Sequence, residues 1–78
     1  MNFLKKDDNK LTDRQTETFN FIIDYIFSKG FPPSVSEIAK GIYASKAVAQ
    51  KHIEALTDKG YIKHVPRVAR SITILKFI

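Results

Sequence analysis

SKAVAQKHIEAL, residues 45–56, reads as a single helix. Ser45 is a favoured N-cap, neither proline nor glycine interrupts the segment, and Lys59-Gly60 supplies the stop. At about 100° per residue, Ala49, Ile53 and Leu56 share one face and are expected in the core, while Ala47, Gln50, Lys51, Glu54 and Asp58 point away. His52 falls on the border of the apolar face, where a packed, hydrogen-bonded histidine is the expectation. The outward charges are sorted by end. Lys46 and Lys51 lie near the start, Glu54 and Asp58 toward the finish.

Working outward, Tyr43-Ala44 is a tight turn that leads into this helix from a shorter one. Ser34-Val35-Ser36-Glu37 fits a capping box, and Ile38, Ala39 and Ile42 then face inward, so the short helix ends near Gly41 or Ile42. Phe31-Pro32-Pro33 cannot be helical, because each proline disfavours the α region for the residue before it; Phe31 is expected to plug that turn. Farther back, Thr12-Asp13-Arg14-Gln15 is another capping box. The helical spacing of Phe19, Ile22, Ile23 and Ile26 carries a first helix from about Asp13 to Lys29, with Gly30 as its C′ residue. Phe19, Tyr25 and Phe27 are expected in the core or at its rim.

After Gly60 the pattern alternates. Tyr61, Ile62 and Val65 form one short strand candidate, and Ile72, Ile74 and Lys76 the other, with β-branched Thr73 between them. Pro66–Ser71 is the loop joining them. The expected architecture is mainly α, three helices followed by a small antiparallel β-hairpin over residues 11–78. Residues 1–10 show no periodicity and are expected to form a loosely attached arm.

At 78 residues the chain holds one small core. The absence of cysteine excludes disulfides and thiolate metal sites, and His52 and His64 do not make a zinc site, so no metal or other cofactor is expected. The longest apolar run, Phe21-Ile22-Ile23, is far short of the ~20 residues of a membrane span. A cytoplasmic protein with no membrane partner is expected. With no nucleophile–base pair suggested and no glycine-rich phosphate loop, an enzyme is not expected.

Charge is unevenly divided. Up to Ala44 six basic residues balance six acidic ones, whereas from Ser45 onward seven basic residues face two acidic ones, so the whole net charge of +5 lies in the last 34 residues. Such a concentrated field suits a polyanion, because neutralised phosphates release counterions. A mildly basic surface also serves solubility, and a polar helix face is also simply solvated. What favours nucleic acid is the short helix and tight turn ahead of Ser45, together with Arg67 and Arg70 at a hairpin tip behind it. A helix entering the major groove by its N-terminal end keeps Glu54 and Asp58 away from phosphates. Gln50 can then bond adenine N6 and N7, and Lys46 or Lys51 can donate to guanine or phosphate. The aromatics form no stacking platform of the RNA-binding kind.

LTDRQTETFNFIIDYIFSKGFPPSVSEIAKGI followed by SKAVAQKHIEALTDKGYI resembles the N-terminal winged helix-turn-helix domain of the bacterial LexA repressors. The resemblance runs from Leu11 to about Leu75 and rests on the Gly30-Phe31-Pro32-Pro33-Ser34 turn, Glu37-Ile38-Ala39, and His52–Leu56 with Lys59–Ile62. It implies that bases are read from the start of the third helix, at Ser45, Ala47, Val48, Gln50 and Lys51, with the wing on the DNA backbone. The family's Ser-Pro-Asn or Ser-Pro-Ser opening is Ser45-Lys46-Ala47 here, and Gln50 and Lys51 replace acidic or histidine-containing positions. Its Leu-Gly-aromatic-x-Ser turn is one residue shorter, Ile42-Tyr43-Ala44-Ser45. The family's C-terminal dimerisation and self-cleavage domain has no counterpart before Ile78, so self-cleavage is not expected of this chain.

These readings converge on a small transcriptional regulator, of the size a phage or mobile element encodes, that binds double-stranded DNA. Ser45, Lys46, Ala47, Val48, Gln50 and Lys51 are its expected base readers, and Arg14, Lys63, Arg67 and Arg70 its expected backbone contacts. Leu75, Phe77 and Ile78 extend past the hairpin and suggest a homodimer formed through the C-terminal strand. The alternative is a module that docks on a repressor or another partner protein.

Overall fold

In the computed structural model, which describes residues 10–77, three helices precede a two-stranded antiparallel sheet: α1 (Asp13–Lys29), α2 (Val35–Gly41), α3 (Lys46–Asp58), β1 (Ile62–Lys63) and β2 (Thr73–Ile74). The arrangement is that of a winged helix-turn-helix. The expected arm and Ile78 lie outside the described residues, Lys10 excepted.

Each helix begins where a side chain satisfies its otherwise unpaired first amides. Thr12 Oγ1 accepts from the Gln15 amide while the Gln15 side chain accepts from the Thr12 amide, and Ser34 and Glu37 repeat the exchange at α2. At α3 Ser45 Oγ accepts from the Val48 amide at 3.1 Å. Gly30 closes α1 at φ 85°, a left-handed conformation that glycine adopts without steric cost.

Ala49, Ile53 and Leu56 of α3 are fully buried against Phe19 and Ile22 of α1 and Ile38 and Ala39 of α2, and Ile62 and Ile72 attach the wing to the same core. Gly41 sits where a Cβ would overlap the Phe21 ring, so a side chain there would displace that ring from its packing between α1 and α2. Two aromatic expectations fail. Phe27 is 77% exposed because it lies beyond the face that α1 turns to α3, and Phe31 plugs nothing: it stands half-exposed, edge-on to Tyr25.

The strands are shorter than the alternating pattern suggests. Only Ile62↔Ile74 and Lys63↔Thr73 pair, and Val65 belongs to a turn closed by a 3.2 Å bond from the Val68 amide to the Val65 carbonyl. Proline at the second position and a positive φ of 67° at the third, Arg67, are the marks of a type II turn. Ser71 Oγ fastens its base, donating to the Val65 carbonyl and accepting from its amide.

The α2–α3 turn is a Schellman motif. The Ala44 amide donates to the Ala39 carbonyl and the Tyr43 amide to the Lys40 carbonyl, with Tyr43 at φ 58° in the place that glycine normally takes. A side chain in that conformation costs ~1–2 kcal/mol, and Tyr43, 93% exposed, makes no packing that offsets it. Tyr43→Gly is therefore expected to stabilise the domain by roughly 0.5–1 kcal/mol, after allowance for the unfolded-state entropy of glycine. Gly41→Ala should destabilise it by ~1–3 kcal/mol through overpacking on Phe21. Thermal denaturation of both variants checks the opposite signs.

Candidate nucleic-acid interface

The first two turns of α3 form one wall of an open groove of about 590 Å³. Lys46, Ala47 and Gln50 line that wall, and the rest of the lining comes from the hairpin loop, with His64 and Arg67, and from Ser34 and Ser36 at the start of α2. Of the residues expected from sequence, the fold thus brings Lys46, Ala47, Gln50 and Arg67 together. Val48 and Lys51 are exposed on α3 outside the lining, and the Ser45 hydroxyl is engaged in capping. Lys63 is exposed on β1, opposite Thr73. Toward the other end of α3, Glu54 and Asp58 border a second, smaller hollow that shares Gln50, His64 and Pro66 with the first. The charge sorting seen along the sequence is therefore a sorting along one surface.

Among the described residues, Lys46, Lys51, Lys63 and Arg67 make no hydrogen bond or ion pair through their side chains, so their charges are uncompensated at short range. Arg67 is held outward by the strained third position of its turn, a place where glycine would cost nothing.

The other two arginines are engaged inside the molecule. Arg14 donates to Glu17 Oε1 at 2.9 Å and, 28 residues away, to the Ile42 carbonyl at 3.0 Å, tying the start of α1 to the end of α2. Arg70 makes a two-pronged pair with Glu37, Nη1 to Oε1 and Nη2 to Oε2, each at 2.9 Å. Its Nη1 also donates to the Pro32 carbonyl at 2.9 Å, with the Tyr25 hydroxyl at 3.4 Å, and the guanidinium lies 4.8 Å from the centre of the Phe31 ring. Glu37 Oε1 in addition accepts the Ser34 amide of its capping box. The Arg70 hydrogen bonds, followed by the Ser34 amide, hold the Glu37 carboxyl down at about 2, and the same pairing pushes the Arg70 guanidinium up.

Sequence reasoning missed Ser34 and Ser36 as groove residues and Glu37 as the partner of Arg70. Ser34 and Glu37 were legible only as a capping box, and a partner 33 residues distant leaves no local signal.

The profile of the LexA DNA binding domain matches residues 8–71. The chain is 40% identical over 67 residues to the LexA repressor of Staphylococcus aureus (strain USA300), a match spanning 85% of this chain and 32% of that repressor. It is also 40% identical over 67 residues to the LexA repressor of Thermosipho melanesiensis, covering 86% of this chain and 34% of the relative. This chain belongs to the LexA DNA-binding domain family. It spans about a third of the length of these LexA repressors.

Within this LexA-type domain the Glu37–Arg70 pair has a readable titration. A carboxyl lowered from 4.5 to about 2 contributes stability that is complete above about pH 4.5 and is lost as the pH falls toward 2. A carbon-detected NMR titration should place the Glu37 carboxyl near 2, and Arg70→Gln should return it toward the ordinary value. An ordinary value in the wild type would show that the pair does not persist in solution.

Proposed function

We propose that this chain is a non-enzymatic, sequence-preferring binder of double-stranded DNA that acts as a transcriptional regulator, with α3 in the major groove and the wing along the backbone. The observation that carries the reading is the gathering of uncompensated cations and Gln50 around the start of α3 and the wing tip, in a chain of the LexA DNA-binding domain family. The regulatory role follows the relatives, which are repressors by name.

Specificity and affinity fall to different residues in this proposal. Gln50, with an amide that matches adenine N6 and N7, reads a base pair; Ser45, Lys46, Ala47, Val48 and Lys51 frame it with further polar and apolar contacts. Arg67 and Lys63 neutralise phosphates and set the salt dependence. Arg14 and Arg70, already bonded internally, are weaker candidates for phosphate contact than their charge suggested. A single module buries on the order of 600–1,000 Å² on DNA, which leaves binding weak and salt-sensitive unless a second copy adds another half-site. Leu75 and Phe77, exposed just beyond β2, support pairing of two copies there.

Gln50→Ala should cost about 1–3 kcal/mol at one base pair of a selected duplex and almost nothing on random DNA. Arg67→Ala should weaken both by the same factor and reduce the slope of log K against log salt by about one unit. Titrations of the two duplexes at several salt concentrations read both; equal losses on both duplexes for Gln50→Ala would contradict the assignment. Sedimentation should show two copies on a palindromic site, and a monomer both free and on DNA would end the dimer proposal.

A further inference from the structure

The wing is short: Ile62 and Ile72 anchor its base in the core, and its tip reaches beyond them. Its ladder has two residue pairs, and within residues 64–71 the loop is fastened to itself by the Ser71–Val65 exchange and the Val65–Val68 turn. What ties the tip of this loop, residues 65–70, to the helical body by hydrogen bonds is Arg70. Its side chain crosses to α2, grips Glu37 with both nitrogens of its fork, donates to the Pro32 carbonyl and rests on Phe31. Its backbone is left-handed, φ 56°, a conformation disfavoured for arginine. Three positions earlier in the same loop, Arg67 lines the groove; three positions before Glu37, Ser34 lines it too.

We propose that the Glu37–Arg70 fork is a positioning device that sets the wing against α3, so that Arg70 governs DNA affinity without contacting phosphate. The proposal rests on the DNA-binding reading above. Two features separate this role from that of a phosphate ligand. Both terminal nitrogens of Arg70 are already donating, and one face of the guanidinium is covered by a ring. The carboxylate at 2.9 Å also cancels its charge at a distance, so the pair releases few counterions. Its contribution is geometric: a wing held in the binding-competent orientation avoids the reduction in affinity that a fractional population imposes.

The sign of one substitution decides the matter. Glu37→Gln preserves the capping box, since glutamine serves at that position, and removes a negative charge from the neighbourhood of DNA. If Arg70 were a phosphate contact, this change would free it and strengthen binding. As a positioning device the fork requires the carboxylate, and Glu37→Gln is expected to weaken binding about tenfold, the loss that follows when the released wing spends about a tenth of its time correctly placed. Arg70→Lys should be as damaging as Arg70→Gln, because an ammonium keeps the charge but cannot make the two-pronged pair. The salt slope should be unchanged in all three.

Backbone ¹⁵N relaxation on the free proteins provides the second readout. Order parameters over residues 65–70 should fall from about 0.85 to below about 0.6 in the variants while those of the helices hold. Stronger binding by Glu37→Gln, wild-type affinity in Arg70→Lys, or an equally rigid wing in all variants would overturn the proposal. A wild-type chain that binds no duplex even at low salt defeats the DNA-binding reading itself, whereas wild-type binding with an unaffected Glu37→Gln defeats only the positioning role.

Discussion

The burial of Ala49, Ile53 and Leu56 is the contact on which the rest of the domain depends. α3 cannot rotate about its axis without pulling one of the three out of a core closed on other sides by Phe19, Ile22, Ile38 and Ile62. That fixed rotation turns Lys46, Ala47 and Gln50 toward the groove and leaves Val48 and Lys51 outside its lining. Because the contact is apolar and close-packed, the outward face is free to vary in chemistry without disturbing the fold. Lys46, Ala47, Gln50 and Lys51 on that outward face accordingly bear no part of the core.

Around that core, cations tie together elements that apolar packing leaves loose. Lys59 at the end of α3 donates to the Gln15 side chain and the Lys10 carbonyl, each at 2.7 Å; Arg14 joins α1 to the Ile42 carbonyl; Arg70 joins the wing to α2. Exposed pairs of this sort contribute little to global stability. Their effect is local, since each links two particular segments of the fold. A basic chain therefore uses its positive charge in two ways. Some cations are consumed in internal ties and some are left uncompensated, and the formal total of +5 does not distinguish them.

That distinction also marks the limit of what the sequence reveals. Helix boundaries were legible because capping is local: Thr12 with Gln15, Ser34 with Glu37, and Ser45 announce α1, α2 and α3 within a few residues. The buried face of α3 was legible because its period is fixed. The extent of the strands was not, since two residue pairs are fewer than an alternating pattern needs to show itself, and Pro66 draws Val65 into the turn instead. The fate of Arg70 was the least accessible. At a hairpin tip its charge reads as solvent-facing, and only the folded chain brings Glu37, Pro32, Tyr25 and Phe31 beside it.

Backbone strain falls on both sides of the division between internal ties and outward contacts. Tyr43, Arg67 and Arg70 are the non-glycine residues with positive φ among those described, and each costs on the order of 1–2 kcal/mol relative to a relaxed conformation. For Arg70 the cost is offset by three hydrogen bonds, an ion pair and an aromatic face. For Arg67 no hydrogen bond or ion pair among the described residues offsets it, and glycine would build the same turn without the penalty. An arginine at that position accords with the phosphate contact proposed for it. Hydrogen bonding thus separates the two wing arginines, which charge, backbone conformation and position along the sequence do not: the side chain of Arg70 is bound inward, that of Arg67 is exposed.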